Sequence, residues 1–329
     1  FFIMITDNFT RQFDYLRVAV NEKCNFRCIY CMPEDGIPFN MKDKLLTDHE
    51  ILRITSVLAE NGITKVRVTG GEPLLRPGID QLVKNLSQIN GIESVHLTTN
   101  GVFLDDHIQN LIDSGLNGLN ISLDTLKKDR FFQITRRNEF QRAWNNIKFA
   151  VSESDIPIKI NVVLMRGIND DEIQDFINLA KNHPLSVRFI ELMPFDDHQI
   201  WKTGRFMGVN KILDEINKFL PDQPHTTGSP TEEYYFAPDG FQGSVAVIPS
   251  FSRSFCGWCN RIRLTADGQI RNCLYSSRDF NLRDLIREGC SDNDIIDFIQ
   301  HAMHQKAKDG FESEKSNHNH RTSMTQIGG

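Results

Sequence analysis

The chain has 329 residues, of which 43 are acidic and 37 basic, so its formal net charge is −6 at pH 7. This charge excludes a protein that coats nucleic acid through general basicity, and any phosphate binding must be local. With 40% hydrophobic and 24% charged residues, the chain can bury a large core and is not intrinsically disordered.

The sequence has no segment typical of membrane proteins or exported proteins. No stretch approaches the roughly 18 apolar residues of a spanning helix. The apolar opening, residues 1–5, lacks the basic flank and the cleavage site of a signal peptide. We therefore expect a soluble, cytoplasmic protein that binds neither membranes nor nucleic acid.

Six strand–helix units are predicted between residue 16 and about residue 192, because β-branched runs alternate with amphipathic helical patterns. The clearest helix begins with a capping box formed by Thr47 and Glu50. Repeated strand–helix units indicate parallel pairing with right-handed crossovers. The strand candidates are residues 16–20, 65–69, 94–98, 119–123, 158–164 and 187–192.

One face of these strands is polar and partly basic. In the second strand, Val66 and Val68 alternate with Lys65, Arg67 and Thr69. A doubly wound sheet has apolar strands because helices cover both of its faces, so a polar face favours strands that curl around a wet interior. A complete eight-unit barrel needs about 250 residues. Six units therefore predict an α/β fold with an open, partial (βα)6 barrel, similar to a TIM barrel, around a large anionic ligand.

The pattern changes after residue 192. We predict a helix at 209–219, a linker at 221–230 and strands at 234–236 and 243–248. A hairpin at 261–273 and helices at 282–288 and 292–308 follow. The predicted domains are a barrel at residues 1–195, a C-terminal β-rich region at 196–311 and a flexible tail at 312–329.

The cysteines favour metal ligation over disulfides, because there are seven of them in a chain without export signals. Cys290 stands apart from the rest. The other six form two groups: Cys24, Cys28 and Cys31, and Cys256, Cys259 and Cys273.

The first group follows the first predicted strand, at the edge where such folds place their chemistry. Three thiolates can hold three irons of a [4Fe–4S] cluster and leave the fourth iron open. A zinc site would need a fourth ligand, and the nearest histidine, His49, lies inside a predicted helix. The sequence therefore favours a cluster.

This cysteine spacing, with Tyr30 between the last two cysteines and Gly70-Gly71-Glu72-Pro73 after the second strand, resembles the radical S-adenosylmethionine (SAM) superfamily. The resemblance implies a cluster whose open iron binds SAM and whose electron releases a 5′-deoxyadenosyl radical. It also implies SAM contacts from Tyr30, Gly71, Ser122 and Met193.

The second group again supplies three ligands. A second open cluster is one interpretation, and a zinc site completed by Cys290 is the other. The cluster is favoured because Cys290 follows a predicted helix, whereas the other three cysteines frame one hairpin. Arg261 and Arg263 share a face of the adjoining strand, and two neighbouring guanidinium groups suit phosphate.

The resemblance narrows to the GTP 3′,8-cyclase family, which catalyses the first step of molybdenum cofactor biosynthesis. The matching stretches are residues 24–33, 69–73, 98–101, 159–163, 188–191, 255–273 and the terminal Gly328-Gly329. The family implies two [4Fe–4S] clusters, the second holding guanine through its open iron. It implies GTP contacts from Arg17, Arg67, Thr98, Lys159, Arg261 and Arg263, and Lys65 faces the same predicted interior.

The implied reaction abstracts the ribose 3′ hydrogen of GTP, and the resulting carbon radical attacks C8 of guanine. Arg17, Arg261, Arg263, Gly328 and Gly329 are the residues predicted to take part in catalysis. In this family the Gly-Gly end reaches into the active site; a frayed terminus is the alternative. The family also implies an external one-electron donor, a cyclic pyranopterin monophosphate synthase that consumes the product, and a homodimer.

Two other functions remain open from the residues. One is a radical SAM enzyme that modifies peptides, although a peptide gives no reason for the arginine pair. The other is a zinc-stabilised nucleotide-binding module without catalysis. The sequence also departs from the family pattern at Ala19, Asn21, Arg136 and residues 231–233, and a glycine is usual at the position of Arg136.

Overall fold

The structure is a computed structural model. It describes residues 4–194, 203–220, 224–225, 234–276, 279–315 and 323–327. Most of the predicted linker at 221–230, together with Gly328 and Gly329, lies outside the described residues.

Six parallel strands form the centre of the protein and pair in the order of the sequence. They confirm the six predicted strands, although the fourth begins three residues before its predicted start. The strands are β1 (Tyr15–Ala19), β2 (Lys65–Thr69), β3 (Ser94–Thr99), β4 (Leu116–Ser122), β5 (Ile158–Leu164) and β6 (Leu185–Glu191).

Helices cover the apolar face of these strands. In the first helix, Ile51, Ile54 and Leu58 are fully buried in the same core as Val66 and Val68 of β2. The predicted capping box is present, because the Thr47 hydroxyl accepts from the Glu50 amide and the Glu50 carboxylate accepts from the Thr47 amide. The helices are α1 (Asp48–Ala59), α2 (Ile79–Ser87), α3 (Leu104–Asp113), α4 (Lys128–Thr135), α5 (Phe140–Glu153) and α6 (Ile173–Asn182).

The C-terminal strands do not build a sheet of their own. They extend both edges of the central sheet, giving eleven strands in the order β11-β10-β9-β1-β2-β3-β4-β5-β6-β8-β7. β8 pairs in parallel with β6, and β9 pairs in parallel with β1. These strands are β7 (Tyr234–Phe236), β8 (Ser244–Ile248), β9 (Arg261–Leu264), β10 (Gln269–Arg271) and β11 (Phe280–Asn281).

The predicted partial barrel is confirmed, because the polar faces of the strands point into one cavity. Residues of β1 to β6, β8 and β9 all line one cavity, so the sheet curls around it. The barrel is open, because β7 and β11 are the two edges of the sheet and do not pair with each other among the described residues. None of the described helices is long and apolar enough to span a membrane.

The remaining helices surround the open side. They are α7 (Val209–Asn217), α8 (Leu282–Arg287), α9 (Asp292–His304), α10 (Gly310–Lys315) and a short 3-10 helix at Met324–Ile327. α9 ends four residues before its predicted end, where the Asn272 side-chain amide donates to the Ala302 carbonyl over 2.8 Å. α10 crosses the predicted domain limit between residues 311 and 312, so the predicted flexible tail begins with a helical turn.

Candidate active site

One cavity of about 440 Å³ lies inside the curled sheet. It brings together every sequence-predicted site residue that the structure describes. Both cysteine groups line it, although they are more than 220 residues apart in the chain. The other predicted residues that line the cavity are Arg17, Lys65, Arg67, Thr98, Lys159, Arg261, Arg263, Tyr30, Gly71, Ser122 and Met193.

The register of the sheet creates a row of cations on the cavity wall. Arg17 of β1 pairs with Arg67 of β2 on one side and with Arg263 of β9 on the other. Burial and the charge of Arg263 lower the pKa of Arg17 well below its usual value. Burial and Arg261 lower the pKa of Arg263 to about 10. Such a row is stable only beside negative charge, so the wall is suited to a polyanion.

Several donors on this wall have no acceptor in the protein. Arg17 Nε, Arg67 Nη1 and the Thr98 hydroxyl are buried without a hydrogen-bond partner among the described residues. An unsatisfied buried donor costs about 1–3 kcal/mol. Native proteins rarely accept this cost without a ligand or water that supplies the acceptor. These unsatisfied donors therefore indicate a ligand that is rich in acceptor oxygens.

Tyr15 occupies the centre of the cationic wall, and sequence reasoning did not single it out. Its hydroxyl accepts a hydrogen bond from Arg67 Nε. The Lys65 ammonium lies 5.4 Å from the centre of its ring, and the Arg67 guanidinium 5.8 Å. Burial opposes ionisation of the phenol, but the charges of Arg67, Arg17 and Arg261 outweigh it and lower the pKa of Tyr15 to about 8.

Arg188 of β6 is a second cavity residue that sequence reasoning did not assign to the site. It is buried, lines the cavity and donates from Nε to Asn161 Oδ1 over 2.9 Å. The polar alternation of β5 and β6 contained the signal, since Asn161 and Arg188 both fall on the inward face. Nearby His96 stays neutral, because burial and the charges of Arg67 and Lys65 lower its pKa to about 3.

The first cysteine group lies in the loop between β1 and α1. The Phe26 amide donates to Cys24 Sγ over 3.4 Å, a contact typical of thiolates that bind iron–sulfur clusters. Burial and Glu72 raise the pKa of Cys24, and burial and Asp124 raise the pKa of Cys28. This end of the cavity is therefore acidic.

Two glycines let the β2 loop pack against the first cysteine loop. A Cβ on Gly71 would lie 2.2 Å from the Lys23 carbonyl oxygen, and Gly70 has a φ of +145°. The Gly71 amide donates to the Asn21 carbonyl over 2.9 Å, and the Glu72 amide to the Lys23 carbonyl over 2.7 Å. The glycines are thus required by close backbone packing, independently of any ligand.

Arg136 shows how the chain tolerates its departure from the family pattern. It ends α4 in the left-handed conformation, with φ +56°. Glycine is favoured there because it has no Cβ. The Arg136 guanidinium donates to the Arg27 carbonyl over 2.9 Å. The arginine side chain therefore stabilises the first cysteine loop.

Tyr30 and Gly71, two of the residues predicted to contact SAM, lie at this acidic end, whereas Met193 packs with Cys273 and Tyr275. The Tyr30 hydroxyl donates to Asp124 Oδ2 over 2.8 Å. Burial raises the pKa of Asp124 to about 6 and that of Glu72 to about 7. A ligand with an ammonium or sulfonium charge would favour the ionised carboxylates, so this end is suited to a cation.

The second cysteine group lies at the opposite, basic end. The Tyr275 amide donates to Cys273 Sγ over 3.4 Å. Burial opposes ionisation of the Cys259 thiol, but Lys306, Arg261 and Arg263 lower its pKa to about 7. The Cys259 thiol therefore fits a cluster that needs thiolates, whereas burial raises the pKa of Cys256.

The geometry gives no support to a zinc site with Cys290. Four zinc thiolates must converge within about 2.3 Å of one ion. Among the described residues, which include all seven cysteines, no group of three or more His, Cys, Asp or Glu side chains could hold a single metal ion. Cys290 is absent from the residues described as lining the cavity, and its carbonyl accepts from Arg53. A four-iron cluster binds each cysteine to a different iron, so its ligands lie farther apart.

The segment at 323–327 joins the two cysteine loops. The Met324 amide donates to the Cys31 carbonyl over 3.2 Å. The Met324 side chain packs in a small apolar cluster with Met193, Cys273 and Tyr275. The end of the chain that precedes Gly328 and Gly329 therefore lies at the cavity between the two groups.

Comparison with known proteins gives a consistent result. The Radical SAM superfamily model matches residues 18–180, and the Molybdenum Cofactor Synthesis C model matches residues 185–312. A GTP 3′,8-cyclase of Chlorobaculum tepidum is 42% identical over 327 residues, which cover 99% of this chain and 98% of that protein. Molybdenum cofactor biosynthesis protein 1 of Homo sapiens is 41% identical over 310 residues, 94% of this chain and 48% of that protein. This chain thus spans about half the length of the human relative.

Among solved structures, Streptococcus suis SuiB bound to its precursor peptide SuiA has a TM-score of 0.62. The match covers 96% of this chain and 76% of that chain at 13% sequence identity. At this identity the likeness concerns the fold alone.

The cationic wall leads to a prediction about Tyr15. The absorbance of tyrosinate, followed between pH 6 and 11, should show one tyrosine that ionises near pH 8, because Arg67, Arg17 and Arg261 stabilise the phenolate. The wild-type minus Tyr15→Phe difference spectrum isolates this step. Arg67→Ala should move it to higher pH. If Tyr15 ionised near pH 10 both in the wild-type protein and in Arg67→Ala, the role of the neighbouring charges would be contradicted.

Proposed function

The chain belongs to the GTP 3′,8-cyclase family of the radical SAM superfamily, and we propose that its cavity converts GTP to (8S)-3′,8-cyclo-7,8-dihydroguanosine 5′-triphosphate. This is the first step of molybdenum cofactor biosynthesis. The observation that carries the proposal is the polarity of the cavity, which has a cysteine group among carboxylates at one end and another among arginines at the other.

The cofactors of the superfamily are a [4Fe–4S] cluster and SAM, and together they supply the radical that removes a hydrogen atom from the substrate. We propose that Cys24, Cys28 and Cys31 hold this cluster. Tyr30, Gly71, Ser122 and Met193 contact SAM. The buried Glu72 and Asp124 carboxylates favour the positively charged groups of SAM at this end.

The cationic wall binds the triphosphate in this proposal. The unsatisfied donors of Arg17, Arg67 and Thr98 meet phosphate oxygens, and the arginines offer the planar fork that suits phosphate. Burial excludes water and strengthens each contact. The full set of proposed GTP contacts is Arg17, Lys65, Arg67, Thr98, Lys159, Arg261 and Arg263.

A second [4Fe–4S] cluster, held by Cys256, Cys259 and Cys273, is proposed beside this wall. Its three protein ligands would leave one iron available to the guanine base, and the neighbouring arginines would bind the triphosphate of the same nucleotide. The ribose then faces the first cluster. Arg17, Arg261 and Arg263 fix the nucleotide while its 3′ carbon radical attacks C8.

We also propose the wider setting of the enzyme. An external one-electron donor reduces it, a cyclic pyranopterin monophosphate synthase consumes its product, and the chain works as a homodimer in the cytoplasm. The division into residues 1–195, 196–311 and 312–329 remains a proposal of this kind. A peptide substrate is disfavoured, because it offers no phosphate oxygens to the unsatisfied buried donors of Arg17 and Arg67.

The two cysteine groups should differ in function. Cys24→Ala should abolish SAM cleavage, because it removes a ligand of the cluster that supplies the electron. Cys256→Ala should keep some uncoupled SAM cleavage but form no cyclised GTP. Both reactions are measured by anaerobic assay of 5′-deoxyadenosine and of product. The matched control is Cys290→Ser, which should keep the full iron content. Equal loss of SAM cleavage in both alanine variants would refute this division.

Arg263 should bind phosphate rather than maintain the fold. Arg263→Ala should weaken GTP binding by at least tenfold, because one charge-assisted hydrogen bond contributes about 1.5–3 kcal/mol. Guanosine, which lacks phosphate, should be affected far less; calorimetry measures both. Arg166→Ala removes an exposed arginine whose guanidinium donates to the Gly204 carbonyl, and it should change neither affinity. Equal weakening of GTP and guanosine would assign Arg263 to structure.

The Gly-Gly end is proposed to enter the cavity. The 323–327 segment already contacts the Cys31 loop, and two glycines can pass through a crowded opening because they lack side chains. Deletion of Gly328 and Gly329 should spare iron content and GTP affinity while it eliminates the cyclised product. Normal turnover by the truncated protein would show that the end is frayed.

A further inference from the structure

Lys306 is a buried cation in the turn after α9, and neither the sequence analysis nor the proposed function gives it a role. It is 5% exposed and lines the cavity. Its amide donates to the Met303 carbonyl over 3.0 Å, so the chain turns sharply where the helix ends. The helix end predicted from the sequence, residue 308, had placed this side chain on a helix.

The partners of the ammonium are neutral. Lys306 Nζ donates to the Asn272 carbonyl, and it lies 5.7 Å from the centre of the Phe13 ring. Lys306 forms no salt bridge with any residue in the described parts of the chain. A buried ammonium is costly without a negative charge nearby. An anionic occupant of the cavity would balance this charge.

The second cysteine group adjoins Lys306. Asn272, whose carbonyl binds Lys306, directly precedes Cys273. Lys306 and Cys259 also line the same cavity. The first cysteine group differs, because Glu72 and Asp124 are its charged neighbours.

The turn that carries Lys306 is fixed to both parts of the second cysteine group. The Arg11 guanidinium donates to the carbonyls of Cys256, Ala307 and Lys308 over 2.7–3.0 Å. Arg11 is itself held by Asp7 at 2.5 Å. On the other side, the Asn272 amide donates to Ala302. The backbone on both sides of Lys306 is therefore held beside the second cysteine group.

We propose that Lys306 is a positioning charge that raises the reduction potential of the second cluster by stabilising its more negative, reduced form. The inference rests on the proposed second cluster. A fixed cation beside a cluster lowers the free energy of the reduced state more than that of the oxidised state, because reduction adds one negative charge.

The test is a redox titration of the holoenzyme followed by electron paramagnetic resonance. The signal that is missing from Cys256→Ala belongs to the second cluster. Lys306→Met should move the midpoint of this signal to lower potential and leave the midpoint of the first cluster unchanged. Lys306→Arg, which keeps the charge, should stay near the wild-type value.

Lys308→Met is the matched control. It removes the same charge from the same turn, but Lys308 is exposed, so water and salt screen it. An unchanged second-cluster midpoint in Lys306→Met, or an equal shift in Lys308→Met, would overturn the inference. If Lys306→Met fails to retain the second cluster, Lys306→Gln is titrated instead. If Lys306→Met and Lys306→Gln both lose the cluster while Lys306→Arg retains it, the result supports the role of the charge. If all three variants lose the cluster, Lys306 has a packing role and the inference is overturned.

Iron and sulfide content separates this inference from the proposed function. Wild-type protein should contain about eight irons per chain, as two four-iron clusters require. About four irons would refute the proposed second cluster itself. Eight irons with an insensitive midpoint would refute only the role of Lys306.

Discussion

The rest of the structure depends on the parallel pairing of β1 with both β2 and β9. This pairing sets Arg17 directly between Arg67 and Arg263 on the inner wall of the barrel. The guanidinium groups of these three arginines repel one another, so the apolar packing outside the sheet must stabilise an arrangement that the inner wall opposes. Val66, Val68 and Ile262, on the outer face of the same strands, are fully buried and supply part of that stability. The fold therefore maintains a site that is complete only when an anion is present.

The separation of charge along the cavity explains how one small space serves two different ligands. Carboxylates lie beside Cys24 and Cys28, and cations lie beside Cys259. A nucleoside triphosphate and a sulfonium compound would otherwise compete for the same wall. Because the interior is shielded from water, each set of charges acts strongly on the ligand nearest to it. A GTP 3′,8-cyclase needs this order, since its substrate must be held with its ribose towards the radical source.

Contacts distant in sequence hold the two ends in place. The fully buried Glu191 at the end of β6 accepts hydrogen bonds from the amides of Val209, Phe251 and Ser252, which fixes the loop leading to Cys256. The Arg253 guanidinium lies 3.6 Å from the centre of the Tyr275 ring and pairs with Glu314 at 2.7 Å, which attaches α10 to the same loop. The second cysteine group is thus supported from the barrel, the N-terminal segment and the C-terminal helices together.

Local sequence determined the elements and much of the site. Period-two alternation in β2 and β5 predicted both the strands and their polar inner face, and cysteine spacing predicted the two ligand groups, because these signals lie within a few residues of one another. Tertiary structure alone decided the rest. From the sequence, the hairpin of Arg261 and Arg263 is predicted to belong to a separate module. Only its parallel pairing with the free edge of β1 places it in the wall of the cavity. Tyr15 and Lys306 carry no local signal, since their environment comes from charges on β2, on β9 and in the cysteine loops. Burial and the meeting of distant charges are properties of the folded chain, and no window of sequence contains them.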